Sequence, residues 1–125
     1  MEKEVEQLIE NFLADFDAAR FTGYRRFFTA GPKLVLIIPR VGILRGLDAY
    51  LDYESQSTKL AGRKTSWQDS SVEVFGRMAR AIGLMTMAFS EGGERREIRE
   101  HITFLFERDG ENAWKCFHLQ ATLVS

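Results

Sequence analysis

The sequence predicts an α+β protein in which short helices precede a long β-sheet. Apolar residues recur at helical spacing through about the first 54 residues, interrupted by one β-branched run at 33–38. From about residue 65 onward the pattern changes to extended runs, and turns rich in Gly, Asp and Glu separate the last of them. Helices at one end of the chain and strands at the other are typical of an α+β fold rather than of alternating βαβ units.

Three helices are predicted in the N-terminal half. The first spans residues 2–19, where apolar side chains fall on one face among charged ones, and a shorter second helix at 21–28 ends before Gly31-Pro32. The third has Asp48 in its first turn, where the helix dipole favours a carboxylate. Its predicted buried stripe consists of Leu47, Tyr50, Leu51 and Glu54.

The remainder is predicted as a strongly bent sheet. Residues 33–38 predict a first strand and residues 56–64 a loop. Four long strands follow, at about 65–75, 77–90, 95–108 and 112–124. They are about twice the usual strand length and include Gly83, which favours strong curvature. Both of their faces carry apolar residues, so we expect helices to cover one face and a second copy of the chain to cover the other.

Composition limits the function classes. The 125 residues fit one domain, and 45% hydrophobic residues supply a core. A net charge of -1 disfavours nucleic-acid binding, and no apolar run approaches the roughly 20 residues of a membrane span. One cysteine, Cys116, and an N-terminus unlike a secretory signal indicate the cytoplasm. The spacing of Cys116, His101 and His118 matches no zinc site, so no metal or cofactor is expected.

Local motifs resemble those of a known superfamily. Residues 43–50 resemble the small strand, glycine and third helix of SnoaL-like proteins, and Phe75-Gly76 is similar to their strand-turn-strand corner. Residues 106–110, followed by Trp114 and His118, resemble the closing hairpin of the group. That hairpin is also similar to the association domain of calcium/calmodulin-dependent protein kinase II. The order of these motifs resembles the nuclear transport factor 2-like superfamily, SnoaL-like group.

This resemblance implies one SnoaL-like domain over residues 1–125, with a cystatin-like cone of three helices on a curved, mostly antiparallel sheet. It places the odd-numbered residues of the 95–108 run inside the cone, although the even-numbered ones are more apolar. The ligand-binding residues that it implies are Tyr50, Trp67, Met85, Met87, Thr103, Phe117 and Leu119. The outer sheet face would then form a homodimer through Ile82, Leu84, Phe104, Trp114 and His118.

Two residues are candidates for catalysis. His101 lies on the strand face that the resemblance places in the cone, and histidine transfers protons near neutral pH. Its plainer interpretation is a histidine satisfied by one hydrogen bond in the core or at an interface. Glu54, one turn after Tyr50, could orient an imidazole or act as a base, or it could lie at the edge of its stripe and reach solvent. The aromatic and methionine candidates could equally be core residues.

Residues that differ from those of related proteins limit the mechanism and the ligand charge that are expected. In ketosteroid isomerases, which share this fold, a Tyr on the first helix and a base in the cavity transfer the proton. The corresponding places here are Phe12 and Ile38, which cannot transfer a proton, so the isomerase mechanism is not expected. Met85, Thr103 and Ala121 occupy places where the kinase association domain has arginines, so a neutral, largely apolar ligand is expected. The alternatives are an acid/base enzyme of the isomerase, cyclase or dehydratase type that uses His101, and an assembly domain with a vestigial pocket.

Overall fold

The predicted fold class is confirmed by the computed structural model, which describes residues 1–57 and 61–124. The helices precede a curled, mostly antiparallel sheet. In chain order the elements are α1 Glu2–Asp17, α2 Phe21–Phe27, β1 Val35–Ile38, β2 Gly42–Arg45, α3 Leu47–Gln56, β3 Ala61–Phe75, β4 Met78–Glu91, β5 Glu94–Arg108 and β6 Trp114–Leu123.

The boundaries differ from the prediction mainly around the third helix. Gln56, predicted as the start of a loop, is the last residue of α3, and β3 already begins at Ala61. The predicted loop residues 58–60 lie outside the described residues. The predicted start of this strand is too late because the first part of β3 is polar and forms no apolar run. These residues can be polar because one side of this edge strand faces solvent.

The sheet has the strand order β2-β1-β6-β5-β4-β3. Strand β1 pairs in parallel with β6, while the other neighbouring strands are antiparallel. A register shift in the β5–β6 ladder places Phe106 opposite Cys116 and Leu105 opposite His118. Phe117 is therefore an extra residue in β6, which is the definition of a β-bulge. The bulge puts Cys116 and Leu119 on the same side of the sheet.

The helices cover one side of the sheet, called the inner face here, and leave the other, the outer face. On β5 the inner face carries the even-numbered residues: Phe27 of α2 packs edge-on against Phe104 and Phe106, each at a ring-centroid distance of 5.5 Å. Phe12 of α1 stacks on Phe27 at 4.4 Å. Burial of these aromatic side chains removes a large apolar area from water and fixes the helices on the sheet.

Gly83 allows the sheet to bend close to an aromatic ring. A Cβ atom at this position would lie 2.5 Å from the Trp67 indole, so any other residue would displace that ring. Trp67 pairs with Met85 across the β3–β4 ladder and packs against Phe104 at a ring-centroid distance of 5.6 Å. The glycine expected to mark curvature thus also makes room for the indole on the inner face.

Candidate functional site

A cavity of about 190 Å³ lies between the helices and the inner face of the sheet. Most of its wall is apolar and comes from β4, β5 and β6, including Met85, Met87, Ile102, Phe104, Leu119 and Ala121. An apolar cavity of about 150 Å³ is large enough to bind benzene. The cavity therefore has room for a molecule of about one ring, and is smaller than the roughly 300 Å³ or more of a typical drug-sized site.

A buried ion pair closes one end of the cavity. Glu54 of α3 is only 5% exposed, and its Oε1 lies 3.2 Å from Nη2 of Arg63 on β3. The Tyr24 hydroxyl donates a hydrogen bond to the same oxygen at 2.5 Å. Burial, followed by the neighbouring Glu54 charge, raises the pKa of Tyr24, so this hydroxyl stays a neutral donor.

Arg63 is held in place by several groups at once. Its Nε donates to the Phe16 carbonyl at 3.1 Å, and its Nη2 also donates to that carbonyl and to the Tyr24 hydroxyl. The guanidinium carbon lies 3.7 Å from the centre of the Phe16 ring, a cation–π contact. These contacts join α1, α2, α3 and β3 around the cavity. They also mean that groups of the protein itself already bind the buried Arg63 guanidinium.

Tyr50 contributes a second phenol to the cavity wall. It is buried and lines the cavity, and its hydroxyl makes no hydrogen bond with any other residue in the described ranges. Burial is the main cause that raises the pKa of Tyr50, and the charge of Glu54 adds to it. The hydroxyl is therefore a neutral hydrogen-bond donor and acceptor available to a bound molecule.

Glu100 of β5, like Arg63, is a charged cavity residue that the sequence analysis did not identify. It is 8% exposed and lines the cavity between Ile98 and Ile102 of the same strand. Its side chain has no hydrogen bond or ion pair within the described part of the chain. Burial raises the pKa of Glu100. A charged residue inside an otherwise apolar alternation, Ile98, Glu100, Ile102, Phe104 and Phe106, was the available signal.

The predicted site residues divide between the two faces. Tyr50, Glu54, Met85, Met87 and Leu119 line the cavity, and Trp67 lies beside it on the inner face. The face predicted for His101 and Thr103 is wrong: the even-numbered residues of β5 are buried under the helices, so His101 is exposed and Thr103 half-buried on the outer face. Phe117, in the bulge, is half-buried with Lys33 Nζ at 5.5 Å from its ring, and does not line the cavity.

The predicted composition of the outer face also needs correction. Phe104 is 1% exposed beneath α2. Trp114 is 4% exposed because the bulge places it, together with Cys116, on the inner side that carries Leu119, near α1. Leu84 lies on the outer face and is already buried in a single chain. Ile82, at 40% exposed, and the half-buried His118 remain accessible on the outer face.

Residues 1–57 and 61–124 contain neither a metal-ligand cluster nor a membrane-spanning helix. No cluster of three or more His, Cys, Asp or Glu side chains in these ranges could hold a metal ion. No helix there is long and apolar enough to cross a membrane. Cys116 is buried, and this burial raises the pKa of its thiol, which keeps it protonated and unreactive.

Comparison with solved structures finds the same fold. A nuclear transport factor 2-like superfamily protein from Salmonella enterica serovar Typhimurium has a TM-score of 0.90 at 19% identity, covering 98% of this chain and 90% of that chain. The S. rosetta CaMKII hub has a TM-score of 0.85 at 20% identity, with coverages of 98% and 96%. The hexachlorocyclohexane dehydrochlorinase LinA-type3 from Novosphingobium barchaimii has a TM-score of 0.84 at 16% identity, with coverages of 98% and 86%.

At such identities these structures are evidence of fold alone. No curated protein matches the sequence significantly. The sequence profile of the SnoaL-like domain matches residues 5–124, which is nearly the whole chain. The helices and the curled, mostly antiparallel sheet are those expected from the resemblance. The chain belongs to the SnoaL-like domain family.

Proposed function

We propose that the chain is a homodimeric SnoaL-like protein that binds a small, largely apolar molecule in its cone-shaped cavity. The observation that carries this proposal is the pair Tyr50 and Glu100, two buried residues that line the cavity and whose polar side-chain atoms have no partner among the described residues. Polar groups in an otherwise apolar cavity wall are costly unless something in the cavity satisfies them, so packing alone does not explain them. A bound molecule would supply the missing partners, while Met85, Met87 and Leu119 contact its apolar body.

The wall of the cavity also limits the charge of the ligand. The sequence predicts a neutral molecule because arginines are missing from the expected places. Arg63, on β3, does reach the cavity, but Glu54, Tyr24 and the Phe16 carbonyl already engage it. An anion would also meet Glu100. These contacts argue against an anionic ligand. They are compatible with an uncharged molecule and with a positively charged one.

Binding can be tested by thermal unfolding in the presence of one-ring compounds. A ligand at 100 times its Kd stabilises the native state by about 2.7 kcal/mol and raises the Tm by several degrees. Ala121→Phe would fill the cavity and abolish the shift, because Ala121 lines it. The control is Ala14→Phe, the same substitution at an exposed alanine of α1 that does not line the cavity. Equal shifts in both variants would contradict binding in this cavity.

The homodimer is supported by apolar residues on the outer face. Ile82 is 40% exposed, and Val35, Ile37 and Leu105 are half-buried on the same side of the sheet. A second copy covering this face would remove their remaining area from water.

Ile82→Asp should convert a dimer into a monomer in size exclusion with light scattering. Val41→Asp, in the turn between β1 and β2, is the control and should leave the dimer intact. A parent chain that is monomeric at micromolar concentration would contradict the proposal.

An acid/base enzyme is the second candidate, and Glu100 favours it. A carboxyl whose pKa is raised by burial exchanges protons closer to neutral pH. The similar dehydrochlorinase shows that this fold can carry an enzyme. His101, the catalytic candidate from the sequence, is on the outer face and has no access to the cavity, whereas Glu54 remains near it. Loss of turnover with retained ligand binding in Glu100→Gln would distinguish an enzyme from a binding protein.

The third candidate is an assembly domain, which the similarity to the CaMKII hub favours. A vestigial cavity is expected to be filled by apolar side chains, whereas this cavity has kept room for a ring and two unpaired polar groups. Binding therefore ranks above assembly alone. The cytoplasm stays the predicted location, on the basis of the amino-acid sequence.

A further inference from the structure

The charges buried in the cavity wall do not balance. Glu54 and Arg63, whose side chains are 4% and 7% exposed, form an ion pair with each other. Glu100 is left over, and no ion pair joins it to Arg40, the exposed arginine that also lines the cavity. In the described part of the chain, ionisation of Glu100 would therefore leave an uncompensated negative charge in an apolar wall. A carboxyl group in such a wall either stays protonated or pairs with a cation.

The rings around the cavity favour a cation over an anion. Tyr50, Tyr53, Phe16 and Phe104 all line it. The faces of aromatic rings carry partial negative charge and attract an ammonium group. Phe16 already shows this behaviour, because its ring binds the Arg63 guanidinium at 3.7 Å. The unpaired Glu100 carboxyl therefore favours a positively charged ligand, and the aromatic lining of the cavity is compatible with one.

We propose that the ligand is a small apolar amine, whose ammonium group pairs with the Glu100 carboxylate inside the cavity. This inference rests on the proposed binding function and narrows its ligand to one chemical class. The ammonium group donates hydrogen bonds to Glu100, and the Tyr50 hydroxyl is available to accept another. The hydrocarbon body, about one ring in size, contacts Met85 and Leu119.

Four compounds with a common one-ring skeleton separate this proposal from its competitors: 2-phenylethylamine, 2-phenylethanol, acetophenone and phenylacetate. They supply a cation, a neutral donor, a neutral acceptor and an anion of nearly equal size. We expect the amine to bind the parent protein at pH 7 at least about 10-fold more tightly than the alcohol or ketone, since hydrogen bonds to charged groups are the stronger ones. The anion should bind weakest.

The variant Glu100→Gln keeps the size of the side chain and removes its charge. It should weaken amine binding about 10-fold or more and change the affinity for the alcohol less than about threefold. Glu97→Gln is the matched control, an exposed glutamate on the same strand, and should change neither affinity. Circular dichroism and isothermal titration on the same samples confirm folding and give the affinities.

The outcomes separate the inference from the function on which it rests. Equal or tighter binding of the alcohol or ketone, unaffected by Glu100→Gln, overturns the amine and leaves a binding protein for neutral molecules. Amine binding that survives Glu100→Gln also overturns the inference, because the ion pair would not carry the affinity. No binding of any of the four compounds counts against both the amine and the proposed function.

Discussion

The two buried carboxyls of the cavity differ in what surrounds them. Glu54 is 5% exposed and meets the Arg63 guanidinium and the Tyr24 hydroxyl. Glu100 is 8% exposed, lines the cavity, and has no side-chain hydrogen bond or ion pair among the residues that the structure describes. The first is part of a network that joins α1, α2, α3 and β3. The second contributes nothing visible to the fold.

This difference indicates which carboxyl serves structure and which serves a ligand. A satisfied buried network positions the elements around it, and removal of one member leaves the others unpaired. An unsatisfied group costs stability and is retained for another reason. We therefore expect substitutions near Glu54 to change stability and substitutions of Glu100 to change binding.

The largest effect is expected for Arg63→Met. The substitution keeps an apolar stem but leaves Glu54 as an uncompensated buried charge, which typically costs about 3–5 kcal/mol. Urea denaturation would measure the loss in the free energy of unfolding. As the control, Arg96→Met removes only exposed ion pairs and should cost about 0–1 kcal/mol. If both variants lost the same amount, the ion pair with Glu54 would not hold the cavity end together.

Tyr24→Phe should have an intermediate effect. It removes the hydroxyl that donates to Glu54 at 2.5 Å and leaves the ring packing unchanged. The loss of a hydrogen bond to a charged group predicts about 1.5–3 kcal/mol less stability, again measured in urea. Tyr53→Phe is the matched control, because its hydroxyl bonds no other described residue, and it should lie within about 0.5 kcal/mol of the parent.

The smallest effect on stability is expected for Glu100→Gln, together with a change in pH dependence. Because burial raises the pKa of Glu100 in the folded state, its protonated form is favoured there, and this stability is lost as the pH rises through that pKa. The variant should therefore be as stable as the parent in acid, and as stable or more stable at neutral pH. Denaturation in urea across the pH range would check this. A variant less stable than the parent at pH 7 would show that Glu100 has a structural partner.

The order and type of the helices and strands could be predicted from the sequence because apolar spacing reports them directly. The stripe Leu47, Tyr50, Leu51 and Glu54 is buried as predicted, including its carboxylate. The inner and outer faces of β5 were assigned wrongly. The odd-numbered set was placed inside by resemblance, although the even-numbered set is the more apolar one and is buried. Here the simple alternation rule was the better guide.

Strand β6 shows a limit of the alternation rule itself. In the sequence, Trp114 and Cys116 alternate with Phe117 and Leu119, which assigns the two pairs to opposite faces. The bulge at Phe117 inserts one residue, so Trp114, Cys116 and Leu119 all become buried on one side. A bulge depends on pairing with β5 and has no fixed signal in a single strand. The outer-face prediction for Trp114 failed for this reason.

By itself the sequence determined that the chain is an α+β domain, because periodicity and turn residues are local properties, and the order of its short motifs resembled the SnoaL-like group. Only the tertiary structure decided which carboxyl is paired and which is free. Arg63 lies only nine residues after Glu54, but it meets this carboxylate through the packing of β3 against α1, where the Phe16 carbonyl also holds it. Among the described residues, Glu100 has no partner on its covered face of β5. Such partnerships depend on how the elements pack in three dimensions, which apolar spacing along the sequence does not encode.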